Sequence, residues 1–232
     1  MMRIILKCFI ALTLWIAGAT VRAALTNNMF NIRHIGYAEG LSSQRVFSIV
    51  EDSHGAMWIA TKTGIDRYNG HIIKSYTLPG NFYYGDLAGR KLGLLYHEKY
   101  GLWAYDHTGR VYHYSIENDC FEQYLYLGEF ITGEIILNKL YLDHEGTFWF
   151  GLNKGLYKND ADNNVIPVVQ QKYVNDIVVV EKTLFIGTST GVLQLSYSNL
   201  DKPRQLLGGH DVKTLFCDTT KKELWIGTFN SG

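Results

Sequence analysis

Apolar residues in this chain fall in short runs, separated every few positions by clusters of Gly, Asp, Asn and Ser. Val46-Phe47-Ser48-Ile49-Val50 leads into the polar turn Glu51-Asp52-Ser53-His54-Gly55, then into Met57-Trp58-Ile59-Ala60-Thr61. Gly64 follows, then the alternating Ile65-Asp66-Arg67-Tyr68 and Ile72-Ile73-Lys74-Ser75-Tyr76. Runs of this length, with two-residue alternation and glycine-marked turns, predict β-strands in hairpin succession. Beyond the first 23 residues no long segment has the 3.6-residue period of a helix, which weighs against an α/β fold.

The pattern recurs. Trp58, Trp103, Trp149, Phe185 and Trp225 each sit in an apolar run, at intervals of 45, 46, 36 and 40 residues. Gly64, Gly109, Gly155 and Gly191 each lie six residues after their aromatic, placed to supply a positive φ for a tight turn. An apolar run and a polar turn precede each aromatic, and one or two alternating runs follow each glycine. Four strands per unit predict an all-β fold, a β-propeller built of four-stranded antiparallel blades. Residues 41–232 hold about four complete blades and part of a fifth, an incomplete propeller truncated at its carboxyl end. Within a blade the first, most apolar strand is expected nearest the central axis, and the Trp strand against the neighbouring blade. Phe30-Asn31-Ile32-Arg33-His34-Ile35, within the linker 24–40, is expected to be a closing strand for the last blade. A β-sandwich with chance similarity between strands is disfavoured by the regular spacing.

The first 23 residues differ from the rest. Arg3 and Lys7 precede the apolar Cys8–Val21, and Val21-Arg22-Ala23 puts small residues at positions −3 and −1 of a cleavage site. Residues 1–23 therefore read as a secretory signal peptide, too short for a comfortable span, and no other run in the chain approaches spanning length. The whole chain balances 22 basic against 22 acidic residues; removing Arg3, Lys7 and Arg22 leaves 19 basic residues on a mildly acidic, exported part. That balance argues against a nucleic-acid partner. Cys120 and Cys217 are expected to be free, buried thiols, since two cysteines make no disulfide framework.

Catalytic and metal signatures are sparse. The eight histidines are scattered, without a His-Glu-x-x-His pair or zinc-type cysteine spacing, so no metal, cofactor or catalytic residue is assigned. Asp160-Ala161-Asp162-Asn163-Asn164 lacks the Gly and Glu of a calcium loop and reads as an exposed turn. Asp66 or Asp106 with Glu98 would be a glycosidase-like pair only if the fold set them face to face. Propeller ligands usually meet the loops at one end of the central channel. Here these join second to third strands (Lys62, His107, Asn153, Lys154, Ser189) and one blade to the next (Tyr83, Tyr84, Tyr173, His210), with Arg45 at the start of an inner strand. Such aromatic and amide side chains suit a sugar, rings on its apolar face and amides on its hydroxyls. The recurring Trp58, Trp149 and Trp225 read as packing residues.

Gly40-Leu41-Ser42-Ser43, Val46, Ile49, Asp52 to Gly55, Trp58-Ile59-Ala60-Thr61 and Gly64-Ile65 to Tyr68 resemble the two-component regulator propeller repeat, as do Phe148 to Leu152 with Gly155-Leu156-Tyr157 and Leu224 to Thr228. The second unit departs from it: no turn Asp precedes Trp103, and Ala104-Tyr105 replaces the usual Ile-Gly. The order of signal peptide, linker and repeats is similar to the amino-terminal sensor part of a Bacteroides-type hybrid two-component histidine kinase. The resemblance implies a periplasmic, non-enzymatic ligand-sensing propeller that recognises a polysaccharide fragment. The implied partners are an oligosaccharide, the remaining propeller and kinase parts of a parent sensor, and a second copy in a homodimer. Two alternatives stay open: an exported propeller enzyme acting on glycans, and a freestanding protein-binding propeller.

Overall fold

The structure is a computed structural model that describes residues 32–80 and 91–229. The segment read as a signal peptide, the Tyr83–Tyr84 pair and the carboxyl-terminal glycine lie outside the described residues. The chain divides into two compact units between Ile35 and Gly36. In the first unit, Phe30 and Asn31 of the expected closing strand lie outside the described residues, and 32–35 carry no strand.

Within each sheet of the second unit every strand pairs antiparallel with the next in sequence, as short glycine-marked turns require. The first sheet is β1 (Val46–Glu51), β2 (Met57–Thr61), β3 (Ile65–Tyr68) and β4 (Ile73–Tyr76). The second is β5 (Leu92–His97), β6 (Gly101–Asp106), β7 (Arg110–Ser115) and β8 (Cys120–Tyr126). The third is β9 (Leu137–Leu142), β10 (Phe148–Leu152), β11 (Gly155–Asn159) and β12 (Val165–Gln170). The fourth is β13 (Val174–Val180), β14 (Thr183–Thr188), β15 (Gly191–Ser196) and β16 (Asn199–Gly208). A two-stranded sheet, β17 (Val212–Asp218) and β18 (Glu223–Thr228), follows. The fold is all-β and propeller-like: four complete blades and part of a fifth. Gly155 and Gly191 take φ of +146° and +139° between second and third strands, where an added Cβ would run into the carbonyl of Val169 or Leu207 on the fourth strand.

The core lies between consecutive sheets. Trp58 of β2 packs with Tyr114 and Phe121 of the second blade, Trp103 with Phe148 of the third, and Trp149 with Tyr197 of the fourth. A turn aspartate fixes two of these rings: Asp52 Oδ2 accepts the Trp58 indole N–H at 2.8 Å, and Asp143 Oδ2 accepts that of Trp149 at 3.0 Å. In the second blade, which lacks this aspartate, His97 Nδ1 accepts the backbone N–H groups of Lys99 and Tyr100, and the Trp103 indole donates to the Tyr100 carbonyl. Trp58 and Trp149 are 1% and 2% exposed; Trp225, at the same blade position with no further sheet beside it among the described residues, is 59% exposed.

The first strands run side by side along the inside, β1 by β5, β5 by β9, β9 by β13 and β13 by β17. They are not the best-buried strands, because they line an open cavity; the second strands hold the core, with β10 buried throughout. One expectation, the burial of the two thiols, needs correction: Cys120 and Cys217 are free thiols, but Cys120 is exposed and Cys217 half-buried. Cys120 opens β8, an outermost strand of its sheet, and Cys217 lies in the last, two-stranded sheet.

Candidate ligand-binding site

One backbone contact recurs in all five blades. The residue just after each second strand donates its N–H to the carbonyl of the residue just before the first strand of the same blade: Lys62 to Arg45, His107 to Lys91, Asn153 to Ile136, Ser189 to Tyr173 and Phe229 to Asp211, at 2.7–3.2 Å. These bonds gather the second-to-third-strand loops and the blade entries at one end of the inner strands. A cavity of about 850 Å³ opens there, lined by the beginnings of β1, β5, β9, β13 and β17.

Its floor follows a simple size rule. At one register position the first strand carries Ser48, Lys139, Asp176 or Thr214, opposite Ala60, Gly151, Gly187 or Gly227 on the second strand. A small second-strand residue leaves room for an inner polar side chain. The second blade reverses the sizes: Gly93 stands opposite Tyr105. A Cβ on Gly93 would lie 2.5 Å from the Tyr105 hydroxyl oxygen and closer still to the ring, so the glycine vacates the space that the tyrosine fills. The Ala104-Tyr105 departure from the repeat thus has its compensation twelve residues upstream.

The floor groups bond across blades. Ser48 Oγ accepts the Leu94 N–H at 3.3 Å, and Asp176 Oδ2 accepts the Leu215 N–H at 2.8 Å and the Thr214 hydroxyl at 3.1 Å. Asn138 and Asn175 side-chain amides each donate at 2.7 Å to the next blade's carbonyl, of Val174 and Val212. Lys139 pairs with Asp176 Oδ1 at 2.9 Å. Burial disfavours the Lys139 ammonium, but Asp176 and the Tyr105 phenol together outweigh it and hold the group above the usual lysine range. Burial pushes the Tyr105 phenol up, against the opposing pull of Lys139 and of a hydrogen bond from the Leu140 backbone.

Of the residues singled out from the sequence, His107 and Tyr173 line this cavity. Arg45 and Lys62 are joined by their backbones beside it and are exposed, the Arg45 guanidinium lying 5.4 Å over the Phe47 ring. Asn153 ties its loop to the entry of the third blade, its Oδ1 accepting the Ile136 N–H at 3.0 Å and its amide reaching the Glu134 carbonyl. His210 is half-buried and does not line the cavity. Lys91, Lys139, Lys213, Tyr105, Asn175 and Asp176 do line it and escaped the sequence reading. The available signal was a polar residue recurring at one place in otherwise apolar first strands.

The carboxylates considered as a catalytic pair are apart. Asp106 faces Leu92 at the cavity end of the second blade, while Glu98 follows β5 at the other end, about 20 Å of strand away. Asp66 is buried and accepts the Ser42 N–H and hydroxyl at 2.8 and 2.7 Å and the Ser75 hydroxyl at 2.5 Å. Among the described residues no group of three or more His, Cys, Asp or Glu side chains could hold a metal ion. Asp160 closes its turn by accepting the Asp162 and Asn164 N–H groups, and the Asn164 backbone bond leads in holding its carboxyl below the usual range.

Comparison with known proteins supplies context. The two component regulator propeller family matches residues 40–63, the segment from the Gly40-Leu41-Ser42 loop through β2. No curated protein matches the chain in sequence. Among solved structures, the extracellular domain of BT3049 from B. thetaiotaomicron, described as a hybrid two component system, is 21% identical over 84% of this chain and 29% of its own, with a TM-score of 0.65. The extracellular domain of BT4673 from the same organism, described as a one component system, is 21% identical over 81% of this chain and 27% of its own, with a TM-score of 0.65. Virginiamycin B lyase from Staphylococcus aureus is 13% identical over 78% of this chain and 62% of its own, with a TM-score of 0.60. The chain thus spans under a third of the length of the two extracellular domains, and at these identities the likeness concerns the fold. The two component regulator propeller match thus falls on the first half of the first blade, within a β-propeller-type fold.

Proposed function

We propose that this chain is a ligand-sensing propeller part of an exported hybrid two-component sensor, and that it recognises a polysaccharide fragment at the cavity where its inner strands begin. The family match on the first blade carries the reading. Two further observations support it: the fold likeness to extracellular domains of proteins described as two component and one component systems, and the gathering of five blade entries around one cavity. The role is binding. The inner carboxylate Asp176 is engaged by Lys139 and by backbone N–H groups, and Asp66 and Asp106 brace neighbouring loops. The chain reaches the periplasm through residues 1–23, and the remaining propeller and kinase parts of the parent sensor transmit the signal; a homodimer would couple two such sensors.

The test is calorimetric titration of the full chain with size-defined oligosaccharides, alongside assay of the same mixtures for cleavage. Saturable binding without turnover is expected. Turnover abolished by a single carboxylate substitution would replace the reading with an enzyme; capture of a protein partner with no glycan binding would replace it with an adaptor. Amino-terminal sequencing of the periplasmic protein is expected to begin at Ala24.

A further inference from the structure

The cavity has the opposite charge character to the exported chain around it. Residues 24–232 carry 19 basic and 22 acidic residues, yet among the described residues the cavity is lined by Lys91, Lys139 and Lys213 with Asp176 as the one lining carboxylate. Asp176 is already engaged: it pairs with Lys139 and accepts the N–H groups of Ile177 and Leu215 and the Thr214 hydroxyl. Lys213 is exposed and meets the partly exposed Asp211 at 2.8 Å, a solvent-facing pair that contributes little and leaves the ammonium able to take a second anion, while Asp211 also accepts the Asn175 amide. Lys91 pairs with no carboxylate among the described residues. The cavity therefore has a fixed, internally satisfied floor and two cationic arms on different blades whose charge is available. The rings of Phe47 and Tyr173 also line the cavity and suit the apolar side of a sugar.

We propose that the cavity takes an acidic oligosaccharide, its carboxylate or sulfate groups bound by the ammonium groups of Lys91 and Lys213. The inference rests on the sugar-binding reading above and sharpens it to a ligand class. Lys139 belongs to the floor: its replacement would strand the buried Asp176 carboxylate, so it is left untouched in the test.

The experiment titrates the full chain with matched probes: tetragalacturonate against its methyl ester, and sulfated against unsulfated cellotetraose. The first pair isolates the carboxylate and the second the sulfate. At least one acidic probe is expected to bind about tenfold or more tightly than its neutral match, as charge-assisted hydrogen bonds allow. Lys91→Gln and Lys213→Gln are each expected to weaken that probe several-fold, with Lys91→Arg and Lys213→Arg retaining most binding. Raising salt from about 50 to about 500 mM should weaken the acidic probe and leave a neutral one unchanged. Both lysines are exposed, and unchanged melting of the Gln variants checks that the fold is intact. Equal or better binding of the neutral probes overturns the acidic ligand and leaves the sugar reading standing. Acid-selective binding indifferent to Lys91 and Lys213 overturns the proposed site, and binding of none of the four probes overturns both readings.

Discussion

Exchanging the sizes at the Gly93–Tyr105 pair tests the packing rule of the cavity floor. In Gly93→Ser the new Cβ would stand 2.5 Å from the Tyr105 hydroxyl oxygen and closer to two ring atoms. The ring is nearly buried in the core between the second and third blades and cannot swing away freely. Overpacking of this kind costs about 2 kcal/mol. In Tyr105→Ala the ring is lost from that core, at about 3 kcal/mol; this is the low end for an aromatic because the hole opens onto the cavity and can admit water. Independent effects would sum to about 5 kcal/mol. The double variant instead recreates the first blade's Ser48–Ala60 arrangement, in which the serine hydroxyl accepts the N–H of the adjoining inner strand at 3.3 Å. Its cost is expected to be about 3 kcal/mol, a favourable coupling of about 2 kcal/mol. Urea unfolding of the wild type and three variants, followed by tryptophan fluorescence at constant m-value, measures the cycle. Costs that add to within about 0.5 kcal/mol would show that the two positions do not share space, and would refute the size-reversal account.

Three further outcomes follow from the same geometry. Trp149→Ala is expected to cost about 3–5 kcal/mol and Trp225→Ala less than about 1 kcal/mol in this chain, because only the first ring is covered by a following blade; similar urea midpoints for the two would contradict this. Gly191→Ala places a Cβ 2.8 Å from the Leu207 carbonyl carbon, and nearer its oxygen, at a φ of +139°; a loss of about 3 kcal/mol or more in thermal unfolding is expected, against about 1 kcal/mol for Gly209→Ala, whose φ of +79° strains an alanine but which has open space around it. Burial, followed by the facing His144 ring, holds the His97 imidazolium below the usual histidine range. The folded chain therefore binds this proton less readily than the unfolded chain. The associated stability is present above the ordinary histidine value of 6.5 and is lost as pH falls below it. His97→Gln should flatten that part of the stability-against-pH curve; an unchanged slope would remove His97 as its source.

Much of the architecture can be read from the residues because it is local. A Trp, a glycine six residues on and a polar turn before it specify a strand, its sharp reversal and its hairpin, since backbone geometry and two-residue alternation act over a few positions. Repetition of the unit then implies blades that must cover one another's apolar faces. The loop ends around the cavity were legible for the same reason: Lys62, His107 and Asn153 follow their Trp strands directly. The cavity floor was not. Lys139 and Asp176 are 37 residues apart, and nothing local makes one the other's partner; adjacent inner strands bring them to 2.9 Å. Likewise Tyr105 looks like a defect in its repeat until pairing sets it against Gly93. Nor does the residue type tell the exposed Trp225 from the buried Trp149: the difference is whether a following sheet lies against the ring. Strand identity, turn chemistry and blade number follow from short-range sterics and hydrophobic pattern. Charge pairing, side-chain compensation and burial depend on which distant strands are brought together, and only the tertiary structure decided those.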